Sequence, residues 1–583
     1  MCGLLGVLSK ENNLEKYQNI LNVLKHRGPD DEGVFVDKNI FLGQRRLAII
    51  DLSPQGKQPM VLKCEKAHSK LIVNFNGEIY NYKELKRELE NSGHDFSSNS
   101  DTEVILHSYE EWGIESFKKF RGMFAIALYD EDNKELILVR DRFGIKPLYY
   151  YFDEDNFIFA SEIKAFWSFE FIKKEIREGA IEEFLFFGYI LQPNTFYKNI
   201  FVLEAGHYLK IRLGNEGFEI EKNKFADIKD YYFLPKEKIF LEEAIKKAKE
   251  ALLDSVNYHL VADVEVGLFL SGGIDSTVLL YLMRELKQEK IKTVSAVFPG
   301  TIYDESEKIN ELVQKFNTDH LELKITGKDF LENLESIFYY MDQPTVDGIN
   351  TYFVSLTAKK AGLKVVLSGL GGDELFYGYP SFFNLTKINK IKTILKYFGI
   401  GYFLKLFAGE FDIKLNKLAD IINSKNLEEA YLIYRSVFNK KLIFSLNNDF
   451  SINHLPKLNQ FIEYQNKFVS DYNFISFLEM FYYLKNQLLR DSDVFSMAHS
   501  IELRVPFVDN VLFEKIVPIP DEYKIKNNIS KFLLKEIIKD RVSDKILNQK
   551  KQGFVVPIEL WLKNEAKEIL QKEILSSNIF NKK

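Results

Sequence analysis

The first third of the chain shows the apolar patterns of short strands and two helices. Apolar and β-branched runs bounded by Gly, Asn and Asp predict strands at 71–75, 123–130, 136–139, 148–152 and 157–160. Apolar positions at helical spacing predict helices at 82–92 and 102–112. This part of the chain is therefore predicted to be an α+β domain dominated by sheet.

The rest of the chain alternates between strand and helix. Strands are predicted at 265–270, 293–298, 320–325 and 363–367, with helices between them at 276–286 and 306–316. Such alternation is typical of an α/β fold with a doubly wound parallel sheet. From residue 381 onward the pattern is mostly helical, which predicts a helical C-terminal part.

A change of texture marks the domain boundary. A polar turn and a charged stretch follow residue 212, and Pro235 comes after them. We therefore predict a first domain at 1–212, a linker at 213–239 and a second domain at 240–583.

The composition excludes several classes of protein. A chain of 583 residues needs two or more domains, and 46% hydrophobic with 28% charged residues is not the balance of a disordered chain. Lys and Arg number 78 against 84 Asp and Glu, and the formal net charge of −6 argues against a general nucleic-acid-binding protein. No apolar stretch approaches the ~18 residues of a membrane span, and the apolar start soon meets Lys10 and Glu11, so neither a membrane segment nor a signal peptide is predicted. Two cysteines, Cys2 and Cys64, predict a reducing, cytoplasmic location.

Cys2 directly follows the initiator Met1. Its small side chain favours removal of Met1 by an aminopeptidase, which would leave cysteine with a free α-amine. An α-amine, with a pKa of about 7.7–8.0, can act as the base for the thiol of its own residue. The alternative is an ordinary cysteine near a frayed terminus.

Candidate partners for this cysteine occur further along the first domain. Asn76-Gly77-Glu78 follows a predicted strand, and an Asn amide with a glycine backbone N–H is a donor pair that can hold a tetrahedral oxyanion. Arg46 and Asp101 could bind the carboxylate and the ammonium group of an amino acid. Alternatively, Arg46 is a surface charge and Asp101 caps a helix.

Two glycine turns follow strands of the second domain. The turn SGGIDS at 271–276 has small residues that let the backbone close around a phosphate, and Asp275 can hold Mg²⁺ against it. The turn SGLGGDE at 368–374 would face the same crevice, with Asp373 as a second Mg²⁺ ligand. No G-x-x-x-x-G-K-[ST] occurs, which excludes a γ-phosphate kinase loop. The residues predicted to bind ATP and pyrophosphate are Ser271, Gly272, Gly273, Asp275, Ser276, Ser368 and Gly369.

Five sequence blocks lie in the first 150 residues: MCGLLG at 1–6, HRGPD at 26–30, RLAIID at 46–51, NGEIYN at 76–81 and RDRFGIKPLY at 140–149. In this order they resemble the glutaminase domain of the glutamine-hydrolysing asparagine synthetases. The resemblance implies an N-terminal-nucleophile fold with two stacked sheets between helices. By position it implies Cys2 as the nucleophile, Asn76 and Gly77 as the oxyanion hole, and a glutamine site made by Arg46, Asn76, Gly77, Glu78 and Asp101.

Blocks of the second domain resemble the synthetase half of the same family. SGGIDS is similar to the pyrophosphate loop of ligases that cleave ATP to AMP and pyrophosphate, and further blocks are SMAH at 496–499, ELRVPF at 502–507 and KKQGF at 550–554. The resemblance gives Lys551 the place of a catalytic lysine that neutralises charge on the pentavalent phosphorus. His499 is read as structural rather than catalytic. The nine histidines show no metal-ligand spacing, so no zinc site is predicted.

The predicted function is the glutamine-dependent, ATP-driven amidation of aspartate to asparagine, with AMP and pyrophosphate released and ammonia passed internally between the two sites. ATP and Mg²⁺ are the expected substrate and cofactor, the partners are small molecules without nucleic acid or membrane, and a homodimer is compatible with the sequence. Leu370 departs from the family pattern, since glutamate often stands there near the acceptor, and we expect the segment 342–352 to bind aspartate instead. Three alternatives stay open: the same chemistry on another carboxylate such as a polysaccharide uronic acid or a peptide precursor, a tRNA-modifying enzyme that adenylates a base, and a non-enzymatic glutamine-binding regulator.

Overall fold

The computed structural model describes residues 2–11, 14–62, 70–214, 217–287, 290–409, 412–446, 450, 460–549, 553 and 556–576. Two six-stranded antiparallel sheets form the first half, in the orders β10-β8-β9-β1-β3-β2 and β12-β11-β7-β6-β5-β4. Their strands are β1 (Cys2–Ser9), β2 (Asp31–Asp37), β3 (Ile40–Arg46), β4 (Met60–Val61), β5 (Leu71–Ile79), β6 (Gly122–Asp130), β7 (Glu135–Arg140), β8 (Tyr149–Phe152), β9 (Asn156–Ala160), β10 (Phe201–Val202), β11 (His207–Leu213) and β12 (Phe218–Lys224).

The two sheets pack face to face between outer helices. Side chains alternate along β1, so Leu4 and Leu8 pack against the second sheet, while Leu5 and Val7 join the apolar cluster beneath the outer 3₁₀ helices. On the far face of the second sheet, the helices α1 (Tyr82–Asn91) and α2 (Asp101–Trp112) bury residues such as Phe75. These four layers confirm the sheet-dominated α+β prediction for the first half.

The strand β12 lies inside the segment 213–239 that the sequence analysis assigns to a linker. It pairs antiparallel with β11 from Phe218 to Lys224, so this part of the segment belongs to the second sheet of the first half. Its alternating exposed Glu and Lys residues are typical of an edge strand, and they explain why the sequence resembles a charged linker. The short helix α5 (Ile228–Tyr232) follows it.

A five-stranded parallel sheet forms the centre of the second half, as the alternating pattern predicts. Its order is β15-β14-β13-β16-β17, and all four pairings are parallel. The order reverses between β13 and β16, and ligands of such sheets bind outside the carboxyl ends of the strands at this point. The strands are β13 (Val266–Phe269), β14 (Lys292–Val297), β15 (Asp319–Lys324), β16 (Val365–Leu367) and β17 (Glu502–Arg504).

Helices surround this sheet and form most of the chain after β16. The remaining α-helices are α3 (Ser116–Lys119), α4 (Ala180–Phe187), α6 (Leu241–His259), α7 (Ile274–Leu286), α8 (Ser306–Phe316), α9 (Gly327–Met341), α10 (Ile349–Lys360), α11 (Gly372–Leu375), α12 (Pro380–Tyr397), α13 (Ile400–Phe407), α14 (Ile413–Asn423), α15 (Leu427–Arg435), α16 (Lys440–Leu446), α17 (Asp471–Leu478), α18 (Leu489–Met497), α19 (Asn510–Ile516), α20 (Asp521–Lys524), α21 (Phe532–Ile538), α22 (Asp544–Leu547), α23 (Ile558–Lys563) and α24 (Lys567–Ser576). A π-helical stretch, Glu479–Leu488, joins α17 to α18. Within the described ranges, no helix combines the length and the apolar character needed to cross a membrane.

The two halves meet through buried ion pairs as well as apolar contacts. The guanidinium of Arg27 is fully buried and lies 2.8 Å from a carboxylate oxygen of Asp493 on α18. Arg121 makes two hydrogen bonds of 2.8 and 2.9 Å to Asp509. Because breaking a buried ion pair leaves an uncompensated charge, at a cost of about 3–5 kcal/mol, these contacts favour one arrangement of the halves.

Candidate functional site

Cys2 begins β1 at one end of the sheet sandwich. It is buried and stands opposite Arg46 in the antiparallel register with β3. Its backbone nitrogen donates a 2.9 Å hydrogen bond to Oδ1 of Asn76, which fixes the start of the strand against β5. Burial raises the pKa of the Cys2 thiol above its ordinary value, although the nearby Arg46 offsets part of the rise. The thiol therefore needs a base before it can act as a nucleophile.

Asn76 and Gly77 provide hydrogen-bond donors beside this cysteine. The Asn76 side chain is fully buried, and its Nδ2 has no hydrogen-bond partner among the residues that the structure describes. A buried donor without a partner is costly, so an acceptor is expected to bind there. Gly77 has a φ of +150°, and a Cβ at this position would lie 2.0 Å from the carbonyl oxygen of Met123. Only glycine therefore fits where the backbone N–H is predicted to join the oxyanion hole.

Four of the five residues predicted to bind glutamine, Arg46, Gly77, Glu78 and Asp101, line a small cavity of about 20 Å³, whereas Asn76 does not line it. Arg46 is buried rather than a surface charge, and its guanidinium donates to the backbone carbonyls of Ile50, Asp51 and Ser53. The cavity is lined by Cys2, Arg46, Leu47, Ile49, Ile50, Gly56, Gln58, Phe75, Gly77, Glu78, Ser100, Asp101 and Thr102.

Two buried carboxyl groups, Glu78 and Asp101, form part of the wall of this cavity. Burial raises the pKa of Glu78 well above its ordinary value and that of Asp101 to about 6. Asp101 accepts a 3.0 Å hydrogen bond from the backbone of Ile79, and Ser100 rather than Asp101 caps α2 through Thr102. The alternative role of Asp101 as the helix cap is therefore wrong, and its carboxylate faces the cavity with that of Glu78.

An arginine from the second half approaches the same carboxylates. Arg504 on β17 is fully buried, and its Nη2 lies 3.4 Å from Oε2 of Glu78. Its Nε lies 2.6 Å from Glu502, and its carbonyl oxygen accepts a 2.8 Å hydrogen bond from Ser368 in the second glycine turn. One three-residue strand thus contacts both candidate sites.

The two glycine turns of the second half pack against each other at the switch point of the parallel sheet. A Cβ at Gly369 would lie 2.8 Å from Cβ of Asp275, and one at Gly372 would lie 2.7 Å from its Cγ. The turn after β13 can therefore touch the turn after β16 only because glycines stand there. Asp275 belongs to the first turn of α7, whose N-terminal N–H groups favour an anion.

A cavity of about 570 Å³ opens at these turns. Gly272 does not line it; its carbonyl oxygen accepts a hydrogen bond from Gln549 instead. Lys551, the predicted catalytic lysine, lies outside the described residues. The other predicted ATP and metal residues all line the cavity: Ser271, Gly273, Asp275, Ser276, Ser368, Gly369 and Asp373.

Lys531 is a cavity residue that sequence reasoning missed. Its Nζ lies 2.5 Å from Oδ2 of Asp275 and 2.6 Å from Oδ1 of Asp373. Burial alone would lower the pKa of Lys531, but the two carboxylates raise it, so it stays a cation. The sequence carries no signal for it, because Lys531 lies in a loop between α20 and α21 and outside every motif.

The carboxylates of Asp275 and Asp373 fit a magnesium ion. They come from two different turns and converge on one cation, the Lys531 ammonium. Carboxylate oxygens beside a phosphate-binding turn are the donors that Mg²⁺ prefers. The donor set is therefore suitable for Mg²⁺ bound together with phosphate oxygens.

The wall of this cavity also includes residues near the place where the family resemblance puts the acceptor. Leu370, Asp347 and Asn350 line it. Asp342 does not; its carboxylate accepts hydrogen bonds of 2.6 and 2.8 Å from backbone nitrogens of the first half, at residues 163 and 164. The second part of the segment 342–352 thus lines the cavity and Asp342 does not, and binding of aspartate by this segment stays a prediction.

Glu374 and Arg435 are two cavity residues to which the motifs give no role. Burial, and next to it Asp373, raise the pKa of Glu374 to about 8, and the hydroxyl of Tyr379 donates a 2.8 Å hydrogen bond to it. The Arg435 guanidinium pairs with Glu479 at 2.5 Å and lies over the Tyr379 ring. Arg435 comes from a helix without a motif, so only its three-dimensional position reveals it.

Comparisons with known proteins match the two halves of the chain to two different families. Residues 1–224 match the family described as glutamine amidotransferase domain, and residues 247–582 match the family described as asparagine synthase. The chain belongs to the asparagine synthase family. Its first half is a glutamine amidotransferase domain, and the family is one of glutamine-hydrolysing ligases.

Curated relatives cover nearly the whole chain. Asparagine synthetase [glutamine-hydrolyzing] 1 of Bacillus subtilis is 34% identical over 99% of this chain and 90% of its own length. Putative asparagine synthetase [glutamine-hydrolyzing] 2 of Methanocaldococcus jannaschii is 37% identical over 74% of this chain and 84% of its own. Amidase chry2 of Gibberella zeae is 26% identical over 97% and 89%. Among solved structures, a glutamine phosphoribosylpyrophosphate amidotransferase from B. subtilis matches 57% of this chain and 92% of its own length, at 16% identity and a TM-score of 0.31.

Proposed function

We propose that this chain amidates aspartate to asparagine, using glutamine as the ammonia donor and cleaving ATP to AMP and pyrophosphate. The observation that carries the proposal is the pairing of two sites in one chain. In the first half, a buried cysteine lies beside an amide donor that has no partner among the described residues. In the second half, Asp275 and Asp373 from two glycine turns converge on Lys531.

In the first site, the Cys2 thiol attacks the side-chain carbonyl of glutamine. Its backbone nitrogen, which becomes the α-amine once Met1 is removed, is held by Oδ1 of Asn76 and takes the thiol proton. Nδ2 of Asn76 and the backbone N–H of Gly77 stabilise the oxyanion. The α-amine passes this proton to the amide nitrogen, so that ammonia leaves and a γ-glutamyl thioester remains. Water then hydrolyses the thioester to glutamate and restores the thiol.

In the second site, the acceptor carboxylate attacks the α-phosphorus of ATP and displaces pyrophosphate. The Lys531 cation is placed to neutralise phosphate charge, and Asp275 and Asp373 would hold Mg²⁺, which supplies further charge neutralisation. Ammonia then attacks the acyl adenylate and AMP leaves. Adenylation is required because a carboxylate is a poor electrophile. We propose that ammonia reaches this site inside the protein, since both sites contact β17.

The nature of the acceptor depends on the far end of the cavity. Aspartate carries one ammonium and two carboxylate groups, and Asp347 and Arg435 can contribute charges of opposite sign to the cavity, while Glu374 keeps its proton up to a pKa of about 8. Leu370 presents an apolar wall where glutamate is common in the family. The second candidate function is the same chemistry on another carboxylate. It is favoured by this apolar wall and by a relative that is named an amidase rather than an asparagine synthetase.

Product analysis separates these candidates. The chain is incubated with amide-¹⁵N glutamine, ATP, Mg²⁺ and aspartate, and products are measured by mass spectrometry. We expect ¹⁵N-asparagine and AMP in amounts close to the glutamate formed. Glutamate without asparagine, in wild type and in Leu370→Glu, would contradict the aspartate proposal. AMP release with a uronic acid or a peptide carboxylate would then identify the second candidate.

Three expectations remain predictions beside this proposal: a cytoplasmic location, a homodimer, and domain limits at 1–212 and 240–583. The tRNA-modifying alternative requires salt-dependent RNA binding, which a titration across ionic strength measures. The regulatory alternative requires glutamine binding without turnover, which the same ¹⁵N experiment excludes if glutamate forms.

A further inference from the structure

Two histidines and a glutamate converge on the outer face of the first half, away from both cavities. His94 lies in the connection between α1 and α2, and His107 and Glu110 lie one turn apart on α2. Nδ1 of His94 is 3.1 Å from Nδ1 of His107 and 3.5 Å from Oε2 of Glu110. Nδ1 of His107 is 3.8 Å from the same oxygen. Three ligand atoms thus form a nearly equilateral triangle.

The size of this triangle matches one face of a tetrahedral metal site. Zinc binds imidazole nitrogen and carboxylate oxygen at about 2.0–2.2 Å, so two ligands of one tetrahedral ion lie roughly 3.3–3.6 Å apart. The observed separations of 3.1, 3.5 and 3.8 Å bracket that value. A fourth position would remain for water.

The outer nitrogens of both rings face carboxylates. Nε2 of His94 lies 2.9 Å from Oε2 of Glu111, and Nε2 of His107 lies 3.9 Å from Oε1 of Glu103. Histidines that bind a metal through one nitrogen commonly donate the other N–H to a carboxylate. With the protons on the Nε2 atoms, both Nδ1 lone pairs, whose nitrogens are 3.1 Å apart, are available to bind one cation.

The surroundings favour a resident ion over a solvated ion pair. The side chains of His94, His107 and Glu110 are 5%, 0% and 7% exposed. Glu103 is already used, because both of its oxygens accept hydrogen bonds from Ser97 and Ser98, at 2.6–2.8 Å. Among the residues that the structure describes, Glu110 is the carboxylate with an oxygen near both Nδ1 atoms.

We propose that His94, His107 and Glu110 bind one divalent transition-metal ion of the Zn²⁺ type. Imidazole nitrogen prefers such ions to Mg²⁺ or Ca²⁺, which prefer oxygen ligands throughout. The ion ties the α1–α2 connection to α2 and so braces the segment that carries Asp101. No zinc site is predicted from the sequence. The two histidines are 13 residues apart and come from different elements, so they show no metal-ligand spacing.

Metal content tests the proposal directly. The full chain, purified without chelator, is expected to hold close to one equivalent of zinc by inductively coupled plasma mass spectrometry. After stripping and dialysis, a Zn²⁺ titration should restore one site and raise the unfolding temperature. His94→Gln and His107→Gln should each bind Zn²⁺ at least tenfold more weakly. His207→Gln is the matched control, because it removes an imidazole of the same half that hydrogen-bonds to the Ala205 carbonyl and lies outside this cluster.

Cobalt provides a second readout that does not depend on the fold of the variants. Co²⁺ added to the stripped wild-type chain should give the visible absorption of a four-coordinate nitrogen and oxygen site. Wild type without bound metal, or without a rise in unfolding temperature on Zn²⁺ addition, would overturn the proposal. Equal zinc binding by wild type and the His94 variant would also overturn it, since the ion would then lie at another site such as Cys2 or Asp275.

Discussion

Replacement of Asn76 by alanine removes one donor of the oxyanion hole, Nδ2, together with Oδ1, which accepts the hydrogen bond from the Cys2 nitrogen. Nδ2 of Asn76 is buried without a partner among the described residues, whereas the second donor, the Gly77 backbone N–H, survives the substitution. Loss of one such donor costs about 10²–10³ in kcat, or about 2.7–4 kcal/mol of transition-state stabilisation. We therefore expect Asn76→Ala to lower the glutaminase kcat by that factor while ammonia-dependent synthesis keeps its rate.

Asn74→Ala is the matched control for this experiment. Asn74 is equally buried, lies two residues away on the same face of β5, and donates a 2.8 Å hydrogen bond to the Gly43 carbonyl. Both substitutions lose a buried hydrogen bond worth about 0.5–1.5 kcal/mol of folding stability, but only Asn76 faces Cys2. Glutaminase rates are measured from glutamate release, with ammonia-dependent AMP release as the second readout. A fall below tenfold, or an equal fall in Asn74→Ala, would refute the oxyanion assignment.

Three further outcomes follow from the same geometry. Cys2→Ala should abolish glutamate release and retain AMP formation with added ammonium; a folded variant that ammonium does not rescue would contradict separate sites. Asp275→Asn and Asp373→Asn should each raise the activation free energy of synthesis by several kcal/mol while glutamine hydrolysis continues. Synthesis is measured as AMP release and hydrolysis as glutamate release, and equal losses of the two activities would indicate a structural role. Folded Glu374 keeps its proton up to a pKa of about 8, whereas unfolded Glu loses it near 4.3. The free energy of unfolding of the wild type should therefore fall relative to that of Glu374→Gln as pH rises through this window. Denaturant unfolding at pH 5 and pH 8.5 that shows the same difference between the two proteins would refute the raised pKa.

The strands and helices of both halves were predictable wherever their apolar pattern is regular. The helix predicted at 306–316 is α8, and the strand predicted at 123–130 is β6 with one more residue. By contrast, β17 consists of Glu502, Leu503 and Arg504. Two of its three residues are charged, so the sequence shows no apolar strand pattern although the strand is buried. Its charges are tolerated inside because Arg504 pairs with Glu502 and Glu78.

The candidate sites were predictable where short motifs carry them and not where single residues arrive from elsewhere. Asp275 and Asp373 come from adjacent glycine turns, and their convergence follows from the order of a parallel sheet. Lys531 reaches the same cavity from a loop and Arg435 from a helix, and His94 meets His107 through the path of a loop. Side-chain convergence of this kind depends on packing, for which no local pattern exists.

The position of Arg504 has a genetic consequence. Alleles that change Cys2 should lose one activity and alleles that change Asp275 should lose the other, so the two classes could complement each other in one cell. An allele at Arg504 is different, because its guanidinium lies against Glu78 while its carbonyl holds Ser368. Such an allele should complement neither class, and a three-codon strand would behave in a cross as if it belonged to both halves of the gene.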